Sequence, residues 1–395
     1  MKKNERLIIS AIVINNIGDV IFDLFIAWGL SSAAGKFMNA VYVIGTSVAF
    51  RAILSFFMGA FVDKHSKKKL MILSHLSSIV VITLFGLFWE SAKQAIAIGI
   101  IFVLLNDINN EMFSRSYISM TADMFNENSY IKFQSYSNIV VRIVGIGGAA
   151  LAGILIDKLP SYMIFGIDIL TYFLSLLLIL KVKYNESIHN NRGKSNIVKN
   201  IILDVKYTFY NIIHSPFLSS FIVLMFTLNL AYGYIPQVLP IFKANIIGSA
   251  TLLGVIKSSL TIGEIIGLLL VSKLSRFVSC TFKVSMLANI FIIAILCITN
   301  NSYVIIILFA LYGISDSLTQ PLFGYTVSNL DSKNRGKLLG GIDAIIMFSP
   351  SIGIYVISAI HNYSPIIGGI IVALIFVIGF VIVSLNKNMR HIVLK

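Results

Sequence analysis

The chain has 395 residues, of which 57% are hydrophobic and 12% charged, with a mean hydropathy of +0.88 and a formal net charge of +14. Soluble domains carry about 25% charged residues, so half the expected charge is missing, and the length exceeds what one soluble core usually holds. An ordinary soluble enzyme and a disordered protein are both excluded, and the positive surplus is no nucleic-acid footprint until its position is known.

Runs of roughly 20 apolar residues, enough to cross about 30 Å of hydrocarbon, mark membrane spans. Twelve occur, at 7–30, 37–62, 70–89, 94–114, 133–157, 161–181, 215–242, 248–273, 281–299, 302–325, 336–360 and 364–385. They do not alternate, so helices rather than barrel strands are expected. The predicted fold class is an all-α polytopic membrane protein.

The first run follows Lys2, Lys3 and Arg6, is too long for a signal-peptide core and holds Asp19 and Asp23, so it is read as a retained span. Asn15 and Asn16 precede those acids. Span 2 carries Arg51 and ends in Gly59, followed by Asp63 and a basic loop. Span 4 is dense in polar groups: Asn106, Asp107, Asn109, Asn110 and Glu111, with Arg115 just beyond. Span 5 holds Arg142 and a run of glycines, and span 6 holds Asp168 near its outer end, where solvation is as natural as function.

The one long polar connection, Lys183 to about His214, divides the chain into an N-terminal six-span half (1–182), a linker (183–213) and a C-terminal half (214–395). Span 7 carries Asn229, Tyr232 and Tyr234, with Gly233 and Pro236 as flexing points. Lys257 and Glu264 lie in span 8, Gly313, Asp316 and Pro321 in span 10, and Asp343 in span 11. Cys280 and Cys297 form no CxxC pair, and the six histidines form no ligand-spaced cluster, so no disulfide, metal site or cofactor is expected.

With the N-terminus inside, the inner segments collect 24 of the 31 Lys and Arg residues, the outer loops four and the spans three. The positive-inside rule therefore predicts both termini in the cytoplasm of a plasma-membrane protein. Inside the spans the sign reverses. Eight acids (Asp19, Asp23, Asp107, Glu111, Asp168, Glu264, Asp316, Asp343) meet three bases (Arg51, Arg142, Lys257). Each mid-membrane charge costs at least about 2.5–3.5 kcal/mol, so all must face protein or water.

Asp19 with Asp23, and Asp107 with Glu111, are spaced i, i+4, so each pair projects from one helix face. Two close carboxylates in low dielectric do not both ionise, so each pair is expected to hold a proton. Arg142 is expected to organise an acidic partner. The alternative for these charges is buried pairing of acid with base, and for Asn15, Asn109, Asn229 and Tyr232 it is interhelical hydrogen bonding rather than ligand contact.

The segment Gly59-Ala60-Phe61-Val62-Asp63-Lys64-His65-Ser66-Lys67-Lys68-Lys69 resembles the loop 2–3 signature of the major facilitator superfamily, G-x-x-x-D-R/K-x-G-R/K-R/K, with Ser66 at the second glycine. The counterpart near Gly267 to Lys273 has Val271 where the aspartate falls. Phe113, Ser119, Asp123 and Asn138, and Asn334-Arg335-Gly336-Lys337 with Ser349-Pro350 and Gly353, are similar to macrolide-efflux and siderophore-exporter members. Gly145 to Gly153 resembles the antiporter motif, with Ala149 at its proline.

The resemblance implies two parallel six-helix halves, with spans 1, 4, 7 and 10 lining a central cavity. Five of the eight acids lie on three of those spans. It further implies proton-coupled efflux of an amphipathic cationic or zwitterionic small molecule, in which Asp19, Asp23, Asp107, Glu111, Arg142 and Asp316 handle substrate charge or the proton. Asn15, Asn109, Asn229 and Tyr232 would line the cavity. Gly59, Asp63, Lys64, Lys67, Lys68, Arg115, Arg335 and Gly336 would form a cytoplasmic gate, Gly59 by permitting close helix approach. The expected partners are substrate, protons and the bilayer, with no nucleic acid, and the chain is expected to be a monomer without enzymatic activity. Direction is not written in the pattern: an importer, a lipid-linked flippase or a non-transporting scaffold would share these spans.

Overall fold

The computed structural model describes residues 3–32, 37–184, 206, 210, 214–274, 277–323, 335–386 and 389. Most of the predicted linker lies outside them. Among the described residues the chain is helical without strands. Twelve helical segments are long and apolar enough to cross a membrane, from Asn4–Ser32 to Pro365–Leu385, as the hydropathy runs predict.

The first seven helices are α1 (Lys3–Ser32), α2 (Phe37–Val62), α3 (Lys67–Leu87), the short α4 (Trp89–Gln94), α5 (Ile96–Met124), α6 (Glu127–Lys158) and α7 (Ser161–Lys181). After the linker come α8 (Pro216–Tyr234), α9 (Leu239–Ile247), α10 (Ala250–Leu274), α11 (Val278–Ile298), α12 (Ser302–Ser317), α13 (Arg335–Ile346), α14 (Ser349–Tyr363) and α15 (Pro365–Leu385). Among the described residues four helix starts carry a side-chain cap, at Asn126, Ser215, Asn301 and Ser364. Asn126 accepts from the Ser129 N–H at 3.1 Å, and Asn301 accepts from the Tyr303 and Val304 N–H groups.

Turns interrupt the regular helix inside spans 7, 10 and 11 without ending the spans. In span 7 the turn between α8 and α9 holds Pro236, and Pro240 follows it; neither can donate a backbone hydrogen bond, but Ile235, Val238 and Phe242 still donate to the residues four back. Span 11 divides between α13 and α14, with Pro350 in the first turn of α14. A Cβ on Gly233 would overlap the Pro350 carbonyl, so glycine at that position lets α8 and α14 touch by their backbones.

The chain forms two compact units: residues 1–194 with 248–258, and residues 195–247 with 259–395. In the first, α1 packs against α7, α6 and α2, while α3 packs against α5 and α7. Its apolar core centres on Phe22, Phe25, Phe85, Trp89 and Phe165; the Phe25 and Phe165 rings lie edge to face at 5.3 Å, and Phe85 stacks on Phe102 at 5.0 Å. Such pairs contribute about 0.5–1.5 kcal/mol beyond their burial. In the second unit, α8 packs on α14 and α15, and α11 on α15 and α12.

Candidate functional site

A polar cluster crosses the middle of the first unit, built by five helices. From α1, Asn15 Nδ2 donates to Asp19 Oδ2 at 2.7 Å. From α7, the Tyr172 hydroxyl lies 2.8 Å from Asp19 Oδ1 and 3.0 Å from Asn110 Oδ1 of α5. Ser47 of α2 donates to Asp107 Oδ2 at 2.7 Å, and Ser78 of α3 donates to Asn106 Oδ1 at 3.2 Å. His75 Nε2 lies 2.8 Å from Ser175 Oγ, which donates its only proton to the Ala11 carbonyl at 3.0 Å. His75 must therefore be the donor through Nε2–H.

Helical periodicity explains why these groups converge. Asp168, Thr171, Tyr172 and Ser175 occur at i, i+3, i+4 and i+7, one stripe of an otherwise apolar α7. Gly18 lets α1 close on that stripe: a Cβ there would stand 2.7 Å from Asp168 Oδ1 and would overlap Thr171 Oγ1. Asp107 and Tyr172 are buried, and Asp19 is half-buried. The donors that reach Asp19 and Asp107 are an amide, a phenol and an alcohol, not cations.

The four acids expected as two equivalent pairs have four different settings. Asp19 is held by Asn15 and Tyr172, whereas Asp23 is exposed one turn on. Asp107 is held by Ser47, whereas Glu111 forms an ion pair with Arg115 Nε at 2.6 Å within α5. That pair joins a residue expected at the coupling site to one expected in the gate. Asn109 is buried with Nδ2 unpartnered, as is Asn15 Oδ1. Arg142 lies on an exposed face of α6.

Asp168 overturns the solvated reading of its position. It is 0% exposed, and neither carboxylate oxygen has a hydrogen-bond partner among the described residues. The close α1–α7 contact at Gly18 covers it: a Cβ on Gly18 would stand 2.7 Å from Asp168 Oδ1. Tyr172, His75, Ser175, Ser47 and Ser78 were not singled out from the sequence. The polar stripe on α7 and the Ser74-His75-Ser78 group on α3 are the signals that could have found them.

The loop motif between α2 and α3 ties helix ends together. Lys68 Nζ donates to the Leu180 and Val182 carbonyls at 3.0 and 2.8 Å, capping the C-terminus of α7 where a cation is favoured. Lys67 Nζ pairs with Asp123 Oδ2 at 3.5 Å, and the Tyr184 hydroxyl donates to the same carboxylate at 2.7 Å. Asp63 and Lys64 are exposed in the turn. At Gly59, where close helix approach is expected, a Cβ would meet nothing within 4 Å among the described residues. In the glycine run of α6 it is Gly153 that is in tight contact, 2.8 Å from its would-be Cβ to Thr251 Cα.

In the second unit, Asp316 is half-buried in α12, and Asn229 Nδ2 turns back to the Met225 carbonyl at 2.8 Å, a bond within α8 rather than between helices. Tyr232 is exposed. Arg335 and Gly336 open α13, and their side chains lie outside the described residues.

Comparison with known proteins follows the same lines. The chain is 21% identical over 291 residues, 73% of its own length and 72% of the relative's, to a staphyloferrin A transporter of Staphylococcus aureus. The nucleoside transporter NupG superposes with a TM-score of 0.67 at 15% identity, covering 95% of this chain and 99% of that one. A human organic anion transporter superposes with a TM-score of 0.63 at 14% identity, covering 96% and 100%. These solved structures share the fold. Residues 8–330 match the Major Facilitator Superfamily, and with that match over most of its length the chain belongs to this superfamily of membrane transporters.

Proposed function

We propose that the chain is a proton-coupled secondary transporter of the plasma membrane, exporting an amphipathic cationic or zwitterionic small molecule by alternating access. The observation that carries this reading is the Tyr172 hydroxyl, whose single proton faces two acceptors, Asp19 Oδ1 and Asn110 Oδ1. With Asp19 ionised, Tyr172 donates to the carboxylate, a charge-assisted bond. When Asp19 Oδ1 takes a proton, its new O–H donates to the Tyr172 oxygen, and the Tyr172 hydroxyl turns to Asn110 Oδ1. Every proton then has an acceptor.

Asp19, Tyr172 and Asn110 thus keep a hydrogen bond for each hydroxyl proton with and without the added proton, and a cationic substrate group competes for the same negative charge. Asp107, held by the neutral Ser47 hydroxyl, is a second site where proton and substrate exclude each other. A ligand or proton shifts the conformational equilibrium only by its differential affinity for the two states. The lysine-rich α2–α3 loop, with Asp63, Arg115 and the Arg335–Gly336 start of α13, serves as the cytoplasmic gate, with both termini on that side and one chain as the working unit. The likeness to a staphyloferrin A transporter keeps molecules of that kind beside drugs in the substrate class.

The test is efflux of ethidium from proteoliposomes under an imposed pH gradient. Asp19→Asn and Asp107→Asn are expected to lose acceleration by the gradient while retaining substrate counterflow. Undiminished gradient dependence in both variants would refute the coupling role.

A further inference from the structure

At the end of α1 remote from Lys3, about 45 Å along its 30 residues, a separate cavity opens within the first unit. It measures about 520 Å³, within the size range of small-molecule pockets, and none of its lining residues belongs to the acid cluster. Phe25, Trp28 and Trp89 give it an aromatic wall, and Glu90, Lys93 and Gln94, which follow Trp89 on α4, give it a polar one. Trp28 and Trp89 are the only two tryptophans of the chain.

The aromatic wall is held in place. Trp89 is 4% exposed and packs on Phe25 at 4.8 Å, Phe165 at 5.6 Å and Phe85 at 5.7 Å. Gly29 makes its seat, since a Cβ there would stand 2.6 Å from the Trp89 ring. The polar wall is of the opposite character. Glu90 and Lys93 pair at 2.6 Å, with the Glu90 side chain 75% exposed. An exposed pair of this kind is held by about 1 kcal/mol or less, so a ligand can open it.

We propose that this cavity binds an aromatic zwitterion. Its ring lies against the partly exposed Trp28, which together with the buried Trp89 lines the cavity, its ammonium takes Glu90 and its carboxylate takes Lys93. The two charges of the wall cancel, so a ligand with a single charge leaves one of them without a partner. The inference concerns binding alone and is independent of transport, coupling and direction.

Because both tryptophans line the cavity, intrinsic fluorescence of the purified protein reads it directly. Three nitroaromatic quenchers separate the head groups: 4-nitrophenylalanine (zwitterion), 4-nitrophenethylamine (cation) and 3-(4-nitrophenyl)propionate (anion). Saturable quenching is expected, tighter for the zwitterion by about two- to fivefold, the size of one exposed ion pair. Glu90→Gln should remove its advantage over the anion, and Lys93→Gln its advantage over the cation; both changes lie on a surface helix and leave the core intact. Trp28→Phe and Trp89→Phe should each remove part of the quenched signal. Linear, non-saturating quenching, equal affinity for all three probes, or indifference to both charge substitutions would overturn the assignment.

Discussion

Asp19 offers the sharpest test, because two substitutions separate its shape from its charge. Asp19→Ala deletes the acceptor of two donors, Asn15 Nδ2 at 2.7 Å and the Tyr172 hydroxyl at 2.8 Å. An orphaned buried donor costs about 1–3 kcal/mol, but Tyr172 keeps Asn110 Oδ1 as an acceptor, so the loss should fall near about 2–3 kcal/mol. Asp19→Asn keeps an acceptor for Tyr172. Its new amide faces the Asn15 amide, and Asn15 Oδ1, buried and unpartnered, can accept from it after a flip. The stability loss should therefore be about 1 kcal/mol or less. Thermal unfolding of both variants in detergent, alongside gradient-driven efflux, gives the comparison: Asp19→Asn near wild-type stability but uncoupled, Asp19→Ala destabilised as well. Equal stability of the two variants would refute the hydrogen-bond arrangement, and a coupled Asp19→Asn would refute the proton role.

Lys68→Met removes the cation at the C-terminus of α7 and should lower stability by about 0.3–1 kcal/mol, with Lys68→Arg restoring most of it in the same thermal assay. Gly18→Ala should destabilise by about 1–3 kcal/mol, since the added methyl group collides with Thr171 and Asp168, whereas Gly59→Ala, facing open space, should be near neutral. A double-mutant cycle on Glu111 and Arg115 should give a coupling of about 0.3–1 kcal/mol, because the Arg115 side chain is 40% exposed and solvent screens the pair. A coupling indistinguishable from zero would remove the link between the gate residue and span 4. Ser47→Ala should leave Asp107 without its donor and cost about 1 kcal/mol, read by chemical denaturation and matched by slower efflux.

Individual elements show where sequence reading succeeds and where it stops. The first run, 7–30, and the helix Lys3–Ser32 agree closely, as do 161–181 and Ser161–Lys181. Span 7 differs because Pro236 and Pro240 each remove one backbone donor while leaving hydropathy untouched, so an apolar count cannot see the turn between Tyr234 and Leu239. Asp19 and Asp107 were visible as costly charges in apolar runs. Asp168 was visible too, but its depth depended on the bare α-carbon of Gly18 on another helix. Gly59 illustrates the reverse: a motif position with no close neighbour among the described residues.

The sequence by itself determined the twelve spans, the polytopic all-α class, the excess of acids within the spans and membership of a transporter superfamily, because lipid imposes its demand one residue after another: a span must be apolar and helical along its whole length. Only the tertiary structure decided which acids are held by neutral donors, which one is matched by an arginine and which one is sealed from water. Those outcomes are set by side chains far apart in the chain, as with Tyr172 and Asp19, 153 residues from each other and 2.8 Å apart in space. Hydropathy carries no record of such pairs, since it sums over residues, whereas a hydrogen bond depends on distance and direction.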